Sequence, residues 1–269
     1  MSPNRLVMFD SADGLALDTV TGLTVDREGR VWLATHVDPI RWNPARQHFE
    51  QPRMPGRSAR LIFEAMHAGR SGRIWAGPMI QRIYAWTGDE FTVCPVPTPV
   101  LCYHCLLEDR RGWLWVTGSE LPTHSSDRFL CRFEVATRTW DWFEEDRGYG
   151  GEHVNAFCED SQGRIWLGTQ RGLKRFDGHQ LEDFGAATGL GEEDVSTILE
   201  DREGRLWIGV VGGGLRCLDP TWTTYAKAEG LPADGVTRLL ETGGHLLVGT
   251  KEGLSRLHRG ESNAFELLF

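Results

Sequence analysis

Eleven residues before each of five tryptophans, Trp32, Trp75, Trp115, Trp166 and Trp207, stand Thr21, Glu64, His104, Asn155 and Ser196, and a sixth aligned segment adds Thr237. All six are polar. Their preceding neighbours, Val20, Phe63, Tyr103, Val154, Val195 and Val236, are all apolar. So regular a polar column, one residue per repeat, suits the mouth of a central channel. It can be a water-filled lining whose hydroxyls and amides satisfy one another, or the floor of a polar binding pocket. Glu64 and His104 are its ionisable pair, the residue types of an acid and a base or of two metal ligands. His153 with Glu152, then Asp194 and Asp234, occupy related loops ahead of the column, and Arg238 follows Thr237. His36 with Asp38, Gln170 with Arg171, and Lys251 with Glu252 occupy a second loop set expected on the same face. The residues expected to bind a ligand are Thr21, Glu64, His104, Asn155, Ser196, Thr237, Arg238, His153 and His36. No residue is assigned a catalytic role, and no metal or other cofactor is expected.

The elements that position these side chains are repeats. Segments 22–35, 65–78, 105–118, 156–169, 197–210 and 238–250 align, with Leu247 standing where the sixth tryptophan belongs. The spacings are 43, 40, 51, 41 and 40 residues. A period near 40 built from short strands is that of a propeller blade, not of a helical solenoid. Asp109, Asp160 and Asp201 can bond their own backbone two residues on, which starts a turn. Gly112, Gly163 and Gly204 then supply the positive φ that a short bulged hairpin needs. The tryptophan falls on the second strand, where its area fills the space between neighbouring sheets. A third strand, such as 213–219, and a fourth with a lone aromatic (Phe49, Phe91, Trp142, Phe184, Tyr225, Phe265) complete four strands per repeat. The fold expected is therefore all-β, one propeller over 1–269 with repeat cores near 20–35, 63–78, 103–118, 154–169, 195–210 and 236–250. Six blades are favoured, with seven-bladed geometry or a piece of a longer array as alternatives. The segment Arg5–Leu15 looks like an outer strand that could close the last blade by strand exchange, and the C-terminal NAFELLF competes for that position.

Composition narrows the function classes. With 40% apolar and 25% charged residues the chain can bury a core. A net charge of −9 argues against a phosphate-reading surface, so no nucleic-acid partner is expected. No apolar run approaches the roughly 18 residues of a membrane helix, and no secretory leader is recognisable at the N-terminus. The six cysteines lack disulfide spacing, and Cys102-x-x-Cys105 reads as part of a strand rather than a metal knuckle. Trp42, Trp86 and Trp142 are assigned to packing between blades, while Trp140 and Trp222 are candidates for a rim patch.

The phrase I-x-E-D-x-x-G-R-[IL]-W-[IL]-G-[TV]-x-x-G-L-x-R-[FL]-D, clearest at 156–177 and 197–219, resembles the two-component regulator propeller repeat. Blade 1 keeps Asp26, Gly29, Arg30 and Trp32, whereas blade 2 has Gly69 for the Asp and blade 3 has Trp113 for the Arg. The resemblance implies a bacterial sensor module of the kind found in hybrid histidine kinases, often responding to saccharides. It is also similar in pattern to streptogramin-lyase-type propellers, which are enzymes. The leading expectation is a non-catalytic, ligand-binding propeller for a small molecule or saccharide. A propeller lyase or hydrolase with a central acid–base or metal site, and a protein-interaction scaffold, are the alternatives. A complete chain would be cytoplasmic, and an excised sensor domain periplasmic.

Overall fold

The strands follow from short runs of β-branched and aromatic residues punctuated by Asp-x-x-Gly turns and Gly-rich loops. In the computed structural model, residues 9, 11–15, 19–54, 61–78, 82–94, 102–119, 128–185, 189–219, 221–258 and 264–268 are described. They form six antiparallel four-stranded sheets, each taken in chain order. The chain is an all-β propeller of six blades: 20–50, 63–94, 102–143, 154–183, 195–225 and 236–267. Helical structure among the described residues amounts to short 3-10 turns such as Glu145–Arg147 and Lys227–Glu229. Two compact units divide the chain, Met1–Asp141 and Trp142–Phe269.

In the first unit, the tryptophan of blade 1 enters the core it shares with blade 2. Trp32 and Ala34 pack with Phe63, Ile74, Ala76, Tyr84, Trp86 and Phe91. Trp86, on a third strand, lies 5.3 Å from Trp32 between ring centroids, which is the packing role expected of it. Trp42 meets Phe9 and Phe49 at 4.8 and 4.9 Å. In blade 3 the second and third strands, Trp113–Ser119 and Arg128–Glu134, make a long hairpin. The insertion between them, 120–127, lies outside the described residues.

The second unit repeats the scheme. Trp166 of blade 4 packs with Val195, Ile198, Leu206 and Ile208 of blade 5, and Trp222 lies against the same cluster rather than forming a rim patch. Trp207 of blade 5 packs with Val236, Leu246, Val248 and Leu257 of blade 6. The core therefore lies between sheets, and Trp32, Trp166 and Trp207 each join their blade to the next. In blade 6 the outer position is taken by Ala264–Leu267, which pairs with the third strand, Gly253–His258. Of the segment Arg5–Leu15 expected to exchange into this blade, residues 5–8 and 10 lie outside the described set and Ser11–Asp13 form a 3-10 turn.

One carboxylate organises the turn of each regular repeat. Asp201 Oδ1 accepts the backbone N–H groups of Glu203 and Arg205, both at 3.0 Å, while Oδ2 accepts Arg205 Nε at 2.8 Å and Trp207 Nε1 at 2.6 Å. Asp26 and Asp160 are built in the same way. Burial raises these carboxyls, but the indole and guanidinium hydrogen bonds outweigh it and hold all three below the ordinary carboxylate range. Blade 2 lacks the aspartate, and blade 3 supplies the substitute. Glu108 Oε2 accepts Trp75 Nε1 at 2.7 Å and Ser71 Oγ at 2.8 Å. A Cβ on Gly69 would lie 1.8 Å from that oxygen, so glycine there is what admits the borrowed carboxylate.

Candidate functional site

The first strand of every blade carries one extra residue, and the strand register shows which. Val20 pairs with Thr35 and Gly22 with Ala34, so Thr21 is left over. The same shift isolates Glu64, His104, Asn155, Ser196 and Thr237. The polar column is thus a column of β-bulges, which turn a side chain out of the ladder. Three of its hydroxyls are committed to backbone. Thr21 Oγ1 donates to Phe63 O at 2.5 Å, Ser196 Oγ to Val236 O at 2.6 Å, and Thr237 Oγ1 to Gly249 O at 3.0 Å. In the first two the acceptor is the residue just before the next blade's bulge, so the hydroxyl ties blade to blade.

The remaining members differ. Glu64 and His104 are half-buried bulge residues on neighbouring blades of the first unit. Their strands bring them to equivalent register positions. His36 is exposed on the loop after the second strand of blade 1. Beside it is a cleft of about 600 Å³ lined by Thr35, Asp38, Arg46, His48, Glu50 and Gln51. Its polar groups are already coupled: Asp38 accepts from Gln51, and Glu50 accepts from Asn43 at 2.8 Å and Arg46 at 3.0 Å. Arg238 is exposed and donates to Thr237 O at 2.8 Å.

In the second unit the candidates are drawn together. His153 Nδ1 lies 2.8 Å from Asn155 Oδ1, and Asn155 Nδ2 donates to Asp194 Oδ1 at 2.7 Å and to Val195 O at 2.9 Å. The string joins blade 4 to blade 5 across 39 residues of sequence. The loops carrying it are pinned. Gln170 N donates to His153 O and Val211 N to Asp194 O, both at 2.9 Å, so in this unit the two loop sets share one end of the sheets as expected. Lys174 Nζ sits 3.2 Å from Glu152 Oε1, and Arg216 Nη2 grips both oxygens of Glu193 at 2.6–2.7 Å. Glu152 is nearly fully buried in that pair, which makes it an anchor rather than a ligand group. The anchors Lys174, Arg216 and Glu193 were not among the expected site residues. Their mark in the sequence is a carboxylate two residues ahead of Val154 or Val195, matched by a basic third residue on the third strand.

Three of the cysteines are held as unreactive thiols. Burial pushes the Cys94 thiol up to about 11 and Cys158 to about 12, and raises Cys131 as well. Among the described residues no three His, Cys, Asp or Glu side chains gather as a metal-binding group.

The two-component regulator propeller family matches at residues 148–171 and 189–212, the stretches that hold the pinned loops and the hydrogen-bonded string. No curated protein matches the chain. Among solved structures, the chain is similar to PorZ, a bacterial surface component of the type-IX secretion system of Porphyromonas gingivalis, with 14% identity and a TM-score of 0.69 over 87% of this chain and 38% of that one. It is similar to the extracellular domain assigned to a hybrid two component system, BT3049, of B. thetaiotaomicron, with 18% identity and a TM-score of 0.69 over 88% and 33%. It is also similar to virginiamycin B lyase from Staphylococcus aureus, with 14% identity and a TM-score of 0.70 over 93% and 84%. The chain spans only 38% and 33% of the length of the first two. At these identities the likeness is one of fold.

Proposed function

We propose that this chain, a β-propeller carrying two-component regulator propeller repeats, is a sensory module that binds a small ligand at the loop ends of its blades. The ligand is a saccharide or a similar polyhydroxylated molecule, and the module works outside the cytoplasm as an input to signalling. The observation that carries this reading is the His153–Asn155–Asp194 string held on pinned loops, where the repeats disagree most in side-chain chemistry. Rigid loops limit the ordering cost of binding, and a few convergent polar groups fix a ligand's orientation. The similar structure that is an extracellular domain supports the location and the sensory role.

The test is thermal denaturation against a panel of neutral and acidic oligosaccharides. A binder at 100 times its Kd stabilises the fold by about 2.7 kcal/mol, a rise of several degrees. Such a rise, reduced when His153 and Asn155 are replaced by alanine, is the expected result. No shift with any compound overturns the small-ligand reading and leaves a protein partner on the same loops.

A further inference from the structure

The net charge of −9 is not spread evenly along the chain. Residues 1–141 carry 16 arginines, no lysine and 16 acidic side chains, whereas residues 142–269 carry 13 basic and 22 acidic ones. Within the first unit the arginines also gather. One residue past the turn aspartate, or past Gly69 in blade 2, stand Arg27, Arg70 and Arg110 in three successive blades, and all three are exposed. Arg73 and Arg111 belong to the same turns. The fold withdraws the matching acids. The Asp26 carboxylate is buried against Arg30 and Trp32. Asp109 is buried and accepts Trp115 Nε1 at 2.9 Å, and Glu108 is buried and bonded to Trp75 and Ser71. Glu28 is exposed but pairs with Arg30. The exposed side of these turns is therefore rich in guanidinium.

The platform under the arginines is fixed. The first strands of blades 1, 2 and 3 pack side by side. Ala68 N donates to Thr24 Oγ1 at 3.1 Å, and Ser71 Oγ to Glu108 Oε2 at 2.8 Å, so each turn is tied to the next. At the same turn position the second unit has Ser161, Arg202 and Gly243, and there Glu200 and Glu241 accept from the first two. The arginine row is thus particular to blades 1–3. We infer that the turn end of these blades is a docking surface for an acidic segment of a partner protein, whose carboxylates pair with Arg27, Arg70 and Arg110. A guanidinium offers a planar fork of N–H donors that a carboxylate meets with both oxygens. Exposed charges act over about 8 Å at physiological ionic strength, so a short acidic segment feels the row alone. A long polyanion is opposed by the chain's net charge of −9. The surface lies at the other end of the strands from the loops of the sensory reading and does not depend on it.

The experiment is fluorescence anisotropy of fluorescein-labelled octaglutamate titrated with the full chain at about 50 mM salt, where screening is weaker. Saturable binding is expected, weakened about tenfold when Arg27, Arg70 and Arg110 are all replaced by glutamine. Replacing the same three by lysine keeps the charge and removes the fork, and its binding is expected to fall between those two. That ordering separates loss of guanidinium from loss of fold. Arg202→Gln, at the same turn position in blade 5, is expected to leave binding unchanged. No saturable binding below about 1 mM, or an equal loss in Arg202→Gln, overturns the proposal. Octagalacturonate carries the same number of carboxylates. If it binds more tightly than the peptide and is weakened by the same three substitutions, the protein partner is overturned in favour of an acidic saccharide. The thermal panel reports on the loop ends, so a failure here is distinct from a failure of the sensory reading.

Discussion

Asp194 and Asp201 stand at the two ends of the first strand of blade 5, one just before Val195 and the other just after Glu200. Asp201 is buried and saturated, taking two backbone amides, an indole and a guanidinium. Asp194 is half-buried and holds one amide from the neighbouring blade. The turn end of the blade is where the repeats agree, and its carboxylates are consumed by the fold. Even the recess there, about 270 Å³ beside Asp160, Arg164, Glu200 and Arg205, is lined by groups that bond one another or the adjoining turn. The loop end is where the repeats disagree, and polar side chains there are arranged in relation to each other rather than to the core. Invariance across repeats marks scaffold, and divergence at the pinned loops marks the candidate site.

The sharpest way to probe the turn end is the blade that breaks the rule. Glu108→Ala strips the indole of Trp75 and the hydroxyl of Ser71 of their acceptor, leaving a buried N–H orphaned at a cost of about 2–3 kcal/mol. Gly69→Asp alone is also destabilising, because its Cβ meets Glu108. Combined, the two are expected to recover about 1 kcal/mol relative to Glu108→Ala, a sign reversal that urea denaturation of the four proteins measures directly. Additive losses would show that the borrowed carboxylate is not equivalent to the missing aspartate.

A smaller effect is expected in the polar column. Thr21→Ala and Ser196→Ala each remove a hydroxyl that ties neighbouring blades, costing about 0.5–1.5 kcal/mol by denaturant unfolding. Glu64→Ala, which removes no such link, is expected to cost less than about 0.5 kcal/mol. A Glu64 loss as large as that of Ser196 would break the division between column members that stitch and members that do not.

The smallest effect is a change of slope. Burial lowers the His67 imidazole from 6.5 to about 4, with the Arg70 charge adding to the shift and a hydrogen bond with the Glu108 backbone opposing it. The unfolded chain therefore takes up this proton first on acidification. His67's contribution to stability is complete above about pH 6.5 and declines as the pH falls toward 4. His67→Leu, matching Leu199 of blade 5, should flatten the stability curve in that window by up to one proton. An unchanged slope would place the titration elsewhere.

Much of the scaffold was legible in the sequence because it is written repeatedly. Period, tryptophan and Asp-x-x-Gly turn each recur on their own strand, and local chemistry alone requires them. What could not be read was contact between repeats. The Asp–Trp hydrogen bond needs the indole's direction, and the Glu108 substitution needs blade 3 laid beside blade 2. Yet the Glu at the same repeat position does the same elsewhere: Glu200, ahead of Asp201, accepts from Ser161, and Glu241, ahead of Thr242, from the Arg202 backbone. The polar column was visible by counting, but its cause, a bulge in every first strand, appears only in the register. His153, Asn155 and Asp194 were each visible as candidates. Their union depends on which blade follows which and how closely, and a spacing of 39 residues does not convey that.

The most direct test applies one substitution at both ends of one strand. Asp201→Asn puts an amide N–H where Oδ2 accepted from Trp207 and Arg205, and it is expected to cost about 2–3 kcal/mol in urea unfolding while leaving the NMR resonances of the His153 ring unchanged. Asp194→Asn is expected to cost less than about 1 kcal/mol and to change the His153 resonances, since it loosens the amide that orients the imidazole. The reverse pattern, with stability resting on Asp194 and His153 responding to Asp201, would contradict the assignment of scaffold to the turns and recognition to the loops.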